Sequence, residues 1–365
     1  MIKKIKLFDP IIGKSEEKIT KKILSSKFWA SGAGAGYVKK FENDFKKIIG
    51  SQKCFAVNSG TAALHLALSL YNIKNKEVII PSLSFVSTAH AVLYNGGIPI
   101  FADVDLKTLC IDPDDVKKKI NKKTAMILPV HFAGMSCALT KINELTKNKK
   151  LTVVEDAAHA CGAKFKGKRI GSHSNTVCFS FHPVKNLAMP TGGLIAINNF
   201  KDKKIMNEIL AKRWCGITDR KNFEYDVKEI GWNYYMNEIS AGIGCVQLKK
   251  LDKSNKKRIA IGKKFSMKMN VEQKMPYSID SVYHFYWILV KNREKFIDKM
   301  KKNGIETGIH YKPIHQMSLY KNNQNVPNTE ILSKQVVSLP THPNLTTDEI
   351  GFIIESVNKY AESTL

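Results

Sequence analysis

The sequence predicts an α/β protein in which helices cover both faces of a mostly parallel sheet, followed by a smaller C-terminal α+β domain. Two observations carry this prediction. Short apolar runs alternate with helical patterns along the first part of the chain. The runs are also apolar throughout, as in strands that are buried on both faces. One predicted strand ends just before Asn58. The others occupy 77–80, 98–104, 124–130, 151–154 and 176–181.

The helical patterns between these strands, and the elements after them, suggest two domains. Helices are predicted at 14–24, 38–49, 86–94, 113–120 and 201–214. A polar segment at 215–228 is interpreted as a loop, and a strand at 283–290 and helices at 293–302 and 347–363 follow. A lysine-rich helix near 252–257 is taken as the boundary. The predicted domains are therefore 1–252 and 253–365.

Composition excludes several classes of protein. The chain has 365 residues, of which 43% are hydrophobic, and no apolar run reaches the roughly 18 residues of a membrane span. The lysines near the N-terminus precede no apolar signal core, so a cytoplasmic protein is expected. Seven scattered cysteines without a CxxC pair indicate free thiols. His159 and Cys161 lie close together but lack further ligands, so no metal site is expected.

The net charge of +26 leaves two interpretations open. A basic surface can bind nucleic acid, but it can also consist of solvated lysine-rich helix faces. The lysine runs lie on separate segments with few aromatic residues between them. We therefore expect no nucleic-acid partner, although such a surface would attract a diphosphate-bearing substrate.

An acid and a lysine follow two of the predicted strands. Asp156 comes just after the strand at 151–154, and Lys185 lies a few residues after the strand at 176–181. A pyridoxal phosphate enzyme needs this layout, because a lysine amine forms a Schiff base with the coenzyme aldehyde. A carboxylate keeps the pyridine nitrogen protonated, so that the ring can accept electrons. Taken alone, either residue could be an ordinary surface or capping group.

Further polar and aromatic residues fall at the ends of other strands. The turn Asn58-Ser59-Gly60-Thr61 opens a helix, whose free N–H groups and dipole suit a phosphate, although many capped helices begin this way. Phe85 could stack on a flat ring or could belong to the core. Ligands of open α/β sheets collect at the carboxyl ends of strands. We therefore expect a binding site at this edge.

Several blocks of the sequence, in order, resemble the DegT-type nucleotide-sugar aminotransferases, pyridoxal phosphate enzymes with the aspartate-aminotransferase fold. The resemblance covers essentially the whole chain. It implies fold type I, with a mostly parallel seven-stranded sheet between helices. The blocks are FWASGAGAGYVKKFEND, NSGTAALHLAL, PSLSFVSTAHAVL, PVHFAGM, VEDAAHACGAKFKGKRIGS, FSFHPVKN, WNYYMNEISAGIGCVQL, HYKPIH and LPTHP.

The resemblance also implies roles for individual residues. Lys185 is the Schiff-base lysine and proton carrier, and Asp156 is the partner of the pyridine nitrogen. His159 falls where the family has glutamine or histidine near the ring hydroxyl. Phe85 matches the ring-stacking aromatic and Asn233 an asparagine that reaches the neighbouring subunit's phosphate. The other implied positions are the phosphate cradle and a segment that borders the sugar pocket or is structural: Gly60, Thr61, Ala62 and Ser180, then His310 and Tyr311.

The implied activity is transfer of an amino group from L-glutamate to a keto group of a nucleotide-linked deoxysugar. By family frequency this is a 4-keto-6-deoxyhexose used for surface glycans, and the enzyme is a homodimer with shared active sites. Two alternatives are a sugar dehydratase on the same scaffold, which has histidine in place of Lys185, and a regulatory protein that kept the fold. Two segments depart from the family: 189–193 lacks the usual glutamate, and Tyr235 replaces an arginine.

Overall fold

The computed structural model of the chain describes residues 4–147, 149, 151–199, 203–321 and 324–361. A seven-stranded sheet forms its centre, in the order β1-β9-β8-β5-β4-β2-β3. The strands of the described residues are β1 (Lys53–Val57), β2 (Glu77–Pro81), β3 (Ile98–Ala102), β4 (Thr124–Ile127), β5 (Thr152–Asp156), β6 (Lys164–Phe165), β7 (Lys168–Arg169), β8 (Thr176–Ser180), β9 (Gly193–Ile197), β10 (Ile217–Lys221), β11 (Glu224–Val227), β12 (Tyr286–Leu289) and β13 (Val336–Leu339).

Helices surround this sheet. They are α1 (Lys14–Ser26), α2 (Gly36–Ile49), α3 (Gly60–Leu68), α4 (Ser87–Tyr94), α5 (Pro113–Lys119), α6 (Leu139–Thr146), α7 (Lys203–Arg213), α8 (Glu238–Lys268), α9 (Arg293–Lys302), α10 (Pro327–Gln335) and α11 (Thr347–Tyr360). Short 3-10 helices cover Phe132–Gly134, Ile314–Gln316 and Ser318–Tyr320. The helices predicted at 86–94 and 293–302 are therefore confirmed, with one end of the first differing by one residue.

The strand orientations place one end of the sheet at the site. β2 pairs in parallel with β3 and β4, β4 with β5, and β5 with β8. β9 runs antiparallel to both β8 and β1, so six of the seven strands point the same way. The carboxyl ends of β1, β2, β5 and β8 consequently meet at one edge, as the sequence predicts.

The sheet is apolar on both faces. In β2, Ile79 packs into one hydrophobic cluster while Val78 and Ile80 pack into the cluster on the other face, and all three are fully buried. Successive side chains of a strand point to opposite faces, so a strand buried on both sides must be apolar at every position. The continuous apolar runs in the sequence have this physical cause.

The C-terminal part carries its own two-stranded sheet, in which β12 and β13 pair antiparallel. Helices α9 and α11 pack against each other, and α11 also contacts α8. The predicted boundary at Asp252 lies inside α8, which continues without interruption from Glu238 to Lys268. The division into 1–252 and 253–365 stays a prediction, and the predicted boundary lies in a helix, as expected from the sequence.

The segment 215–228 differs from its predicted loop. It forms the antiparallel hairpin β10–β11, whose tip residue Phe223 is 97% exposed. The burial pattern explains why the prediction was wrong: all four residues of β11 are exposed, so the sequence shows no apolar periodicity there. Among the described residues, no helix is both long and apolar enough to cross a membrane.

Candidate active site

A cavity of about 380 Å³ opens at the carboxyl edge of the sheet. Asp156, the last residue of β5, and Lys185, which follows β8, both line it. Phe85 and Tyr311 line it as well, with their ring centroids 5.8 Å apart. The structure therefore brings the acid and the lysine of the sequence prediction into one cavity.

Asp156 is held by two hydrogen bonds and is only 4% exposed. Its Oδ1 accepts from the Ala158 N–H at 3.1 Å, and its Oδ2 accepts from the Thr88 hydroxyl at 3.0 Å. Burial raises the pKa of Asp156 above its usual value, and the Ala158 and Thr88 hydrogen bonds and the nearby Lys185 cation offset only part of this rise. The site thus gives Asp156 two hydrogen-bond donors and a nearby cation, which suit a partner for a protonated ring nitrogen.

The hydroxyl of Thr88 belongs to a short relay that the sequence analysis missed. Because this hydroxyl donates to Asp156, the Ser84 hydroxyl, 2.9 Å away, donates to it in turn. Both hydroxyls are almost fully buried and belong to the segment that enters α4. The spacing of four residues within PSLSFVST is a weak signal, because nothing in it points to a carboxylate 68 residues further on.

Lys185 lies in a turn that is fixed by its neighbours. Its N–H donates to the His182 carbonyl at 2.8 Å. The next residue, Asn186, is buried and donates to Asn255 Oδ1 and to the Val282 carbonyl, each at 3.0 Å. Burial lowers the pKa of Lys185 to about 8, although Asp156 acts in the opposite direction. A neutral amine is therefore accessible near neutral pH.

The N-terminus of α3 forms one wall of the cavity. Gly60 and Thr61 line it, together with Ser180 at the end of β8. A Cβ on Gly60 would lie 2.7 Å from the Cβ of Ser180, so only glycine allows this close approach. The Thr61 and Ser87 hydroxyls lie 2.7 Å apart. Free N–H groups at a helix N-terminus beside several hydroxyls suit a phosphate.

Ala62 is also predicted to belong to the phosphate cradle, but unlike the other predicted residues it does not line the cavity. It is buried and is not part of the cavity wall, and its N–H donates to the Ser59 hydroxyl at 3.1 Å. This N–H is therefore committed to the helix cap. Of the residues predicted for the cradle, Gly60, Thr61 and Ser180 line the cavity, and their role stays a prediction.

Two histidines near Lys185, the buried His159 and the partly buried His310, are neutral at neutral pH. His159 and His310 both line the cavity. Burial, assisted by the Lys185 cation, lowers the pKa of His159 well below its usual range and that of His310 to about 3. His310 Nδ1 lies 2.8 Å from the Ser338 hydroxyl, which places this histidine against β13. These rings can therefore act as hydrogen-bonding groups rather than as cations.

Asn233 lies outside the cavity of its own chain. Its side chain is exposed, and its carbonyl accepts from Asn58 Nδ2 at 3.1 Å. The following Tyr234 carbonyl accepts from the Asn58 N–H at 2.7 Å. The segment thus lies beside β1, close to the start of α3, and Asn233 is not among the residues that line the cavity.

These residues fit pyridoxal phosphate. The cavity offers an amine whose pKa is lowered, a buried carboxylate, a flat aromatic ring, and a helix N-terminus with a glycine that suits a phosphate. Across the residues that the structure describes, no group of three or more His, Cys, Asp or Glu side chains is placed to hold a metal ion.

Comparison with known proteins shows the family. Residues 10–358 match the model of the DegT/DnrJ/EryC1/StrS aminotransferase family. The chain belongs to this family. A GDP-perosamine synthase of Escherichia coli O157:H7 is 32% identical over 98% of this chain and 99% of its own length. Among family members, this aminotransferase is therefore similar along its whole length to an enzyme that acts on a nucleotide-linked sugar.

Solved structures agree with this assignment. PseC of Helicobacter pylori, an aminotransferase involved in the biosynthesis of pseudoaminic acid, is 28% identical, with a TM-score of 0.92, and covers 99% of this chain and 100% of its own. The putative sugar aminotransferase Spr1654 of Streptococcus pneumoniae, in its PMP form, is 25% identical with a TM-score of 0.92 and covers 98% of each chain. The predicted fold type I and its mostly parallel sheet are confirmed.

The chain is therefore a pyridoxal-phosphate-dependent aminotransferase of the nucleotide-sugar type, which uses an amino donor and a keto sugar. This confirms the predicted family, enzyme class and coenzyme. The roles of the individual residues stay predictions that the geometry makes specific.

Proposed function

We propose that this aminotransferase moves an amino group from L-glutamate to the keto group of a nucleotide-linked 4-keto-6-deoxyhexose, for surface glycan biosynthesis. The observation that carries the proposal is the placement of Lys185 and Asp156 in one cavity beside the N-terminus of α3. The similarity to a GDP-perosamine synthase along the whole chain supports a nucleotide-linked sugar as the acceptor. The net charge of +26 is suited to a diphosphate-bearing substrate.

The residues of the cavity divide the work between them. When bound, pyridoxal phosphate supplies an aldehyde that takes up the amino group and a ring that withdraws electrons. Asp156 holds a proton on the pyridine nitrogen through its charge. Lys185 Nζ accepts and returns the proton of the substrate carbon, and its pKa of about 8 leaves part of the amine neutral near pH 7. Gly60, Thr61 and Ser180 hold the phosphate.

The remaining site residues are proposed to hold the ring and the sugar. Phe85 is 55% exposed within the cavity wall, so its face is available to stack on the coenzyme. His310 and Tyr311 line the same cavity and border the space for the sugar. We further propose a cytoplasmic homodimer, in which the exposed Asn233 of one subunit reaches the phosphate in its partner.

Lys185 distinguishes this proposal from its alternatives. A dehydratase on this scaffold has histidine at this position, whereas here a lysine faces the cavity and the neighbouring His182 lies at the exposed rim. A regulatory protein without catalysis has no need for a buried acid that opposes a lysine. The intact pair therefore favours transamination.

An assay with defined substrates tests this function. We expect the protein loaded with pyridoxal phosphate to convert glutamate to 2-oxoglutarate and to replace a carbonyl oxygen of a 4-keto-6-deoxyhexose nucleotide by an amino group, as measured by mass. The panel includes several nucleotides and 3-keto and 4-keto sugars. A product that has lost oxygen without gaining nitrogen identifies a dehydratase, and an unchanged panel contradicts the proposed acceptor.

A further inference from the structure

The hydrogen bonds of His159 determine which of its nitrogens carries the proton. The N–H of Ala133 donates to His159 Nδ1 at 3.4 Å. Ala133 is fully buried, so this N–H would be left unsatisfied if Nδ1 carried a proton. Since the ring is neutral, its single proton lies on Nε2.

The backbone of Ala133 is held in an unusual conformation that produces this contact. Its φ is 55°, in the left-handed region that non-glycine residues rarely adopt. It lies in the 3-10 turn Phe132–Gly134, which begins two residues after Val130 of the cavity wall. Such a conformation persists only where the surroundings fix it, and such positions cluster at functional sites.

The tautomer of His159 fixes the direction of the next hydrogen bond. Tyr311 Oη lies 3.0 Å from His159 Nε2, so the ring N–H donates and the phenol oxygen accepts. The structure gives this hydroxyl no second partner among the described residues. The O–H of Tyr311 is therefore left to donate into the cavity that Tyr311 and Phe85 line.

Tyr311 also stays protonated. Burial and the charge of Asp156 both raise the pKa of its phenol. A neutral phenol that already accepts one hydrogen bond is a stronger donor, because linked hydrogen bonds polarise one another.

We propose that the Tyr311 hydroxyl donates a hydrogen bond to an electron-rich oxygen of the bound ligand, and that His159 is the positioning residue that sets this direction. The acceptor is either the oxygen of the hydroxyl group on the coenzyme ring or the keto oxygen of the sugar. The inference rests on the proposed function. It gives Tyr311 the contact and His159 the orientation, where the family resemblance places His159 itself beside the ring hydroxyl.

Two replacements of similar shape test the direction of this hydrogen bond. His159→Gln keeps the direction and His159→Glu reverses it. In His159→Gln, the amide oxygen can accept from the Ala133 N–H while the amide nitrogen donates to Tyr311. In His159→Glu, both oxygens accept, so the Tyr311 O–H turns toward residue 159 and no longer faces the ligand. Tyr311→Phe removes the hydroxyl altogether.

The experiment measures coenzyme affinity, the pH midpoint of the coenzyme's visible absorbance, and kcat and KM for the keto sugar. We expect Tyr311→Phe and His159→Glu to share one defect of roughly tenfold or more, and His159→Gln to perform at least tenfold better than His159→Glu. A weaker affinity with a shifted midpoint identifies the coenzyme oxygen. A loss confined to kcat/KM identifies the sugar oxygen.

The double variant Tyr311→Phe/His159→Glu separates direction from charge. If the glutamate acts through Tyr311, it adds no further loss once the hydroxyl is gone. The inference is contradicted if Tyr311→Phe matches the wild type in all readouts, or if Gln and Glu at 159 behave alike. If His159→Glu does not fold, Tyr311→Phe alone decides. Either contradiction leaves the transamination by the wild-type protein intact. If the proposed function is wrong, the wild-type protein itself shows no transamination.

Discussion

Asp156 is buried at a point where hydrogen-bond donors from two different segments converge on it. The Ala158 N–H comes from its own loop, while Thr88 reaches it from α4 and is supported by Ser84. Each hydrogen bond to a buried carboxylate stabilises the charged form, so the relay offsets part of the rise in pKa that burial causes at Asp156.

Thr88→Val tests this relay. The substitution keeps the shape of the side chain but removes the donor to Asp156, so the pKa of Asp156 should rise. We expect kcat at saturating coenzyme to fall roughly tenfold, in line with about 1.5 kcal/mol for a hydrogen bond to a charged group. Thr88→Ser, which keeps the hydroxyl, is the matched control and should lose much less. Equal losses in both variants would show that packing, not the hydrogen bond, is responsible.

The lowered pKa of Lys185 predicts a pH dependence. Only the neutral amine attacks an aldehyde, and the Lys185 amine becomes neutral as the pH rises through about 8. The rate at which coenzyme-free protein takes up pyridoxal phosphate should therefore increase with a midpoint near pH 8, rather than near the usual lysine value of about 10.4. Stopped-flow absorbance measures this rate, with a free lysine derivative as the reference reaction. A midpoint shared with that derivative would refute the shift.

At the scale of elements, the close contact between α3 and β8 shapes the proposed phosphate cradle. Gly60 opens α3 against Ser180, and Ser59 caps the helix. The approach of a helix N-terminus to the end of a strand gives the phosphate both N–H groups and hydroxyls. The cradle therefore depends on the absence of a side chain at one position.

Gly60→Ala tests the cradle. The added Cβ meets the Ser180 Cβ, so we expect the free energy of unfolding to fall by about 1–3 kcal/mol and coenzyme affinity to fall with it. Gly351→Ala in α11 is the control, because nothing lies within 4 Å of its added Cβ. That substitution should raise the free energy of unfolding by about 0.5–1 kcal/mol, since alanine favours a helix interior. A neutral Gly60→Ala in urea unfolding would contradict the account.

The elements also show how far the sequence alone could predict the structure. The buried strands were predictable because both of their faces are apolar, and the site edge followed from residues such as Asp156 at strand ends. The hairpin β10–β11 was not, because its side chains face solvent. Contacts such as that of Thr88 with Asp156 join residues far apart in the chain, so local sequence patterns do not predict them.

At the scale of the whole molecule, the position of Asn233 bears on how two copies of the chain would meet. Its backbone carbonyl accepts a hydrogen bond from Asn58 beside the cradle, yet its exposed side chain is not among those that line the cavity of its own chain. The nearby hairpin β10–β11 is exposed at most of its positions. A second copy of the chain on this face would bring Asn233 to the partner's site, as the family resemblance implies.

A mixing experiment tests such shared sites. Lys185→Ala and Asn233→Ala proteins should each be nearly inactive as pure samples. If Asn233 serves the partner, a mixed dimer contains one intact site, and random exchange of subunits should restore about a quarter of wild-type activity. Asn199→Ala, an asparagine-to-alanine change at an exposed position elsewhere, is the matched control for the Asn233→Ala substitution. If the mixture of the two inactive proteins shows no recovery although subunits exchange, Asn233 does not complete its partner's site.

The central claim, that Lys185 tethers the coenzyme opposite Asp156, is tested most directly by trapping that link. Borohydride reduction of the loaded protein, followed by digestion and mass spectrometry, locates the lysine that carries the coenzyme. The account predicts the label on the peptide that contains Lys185, and its loss in Lys185→Ala with the fold retained. A label on another lysine, or one that persists in Lys185→Ala, would contradict the account.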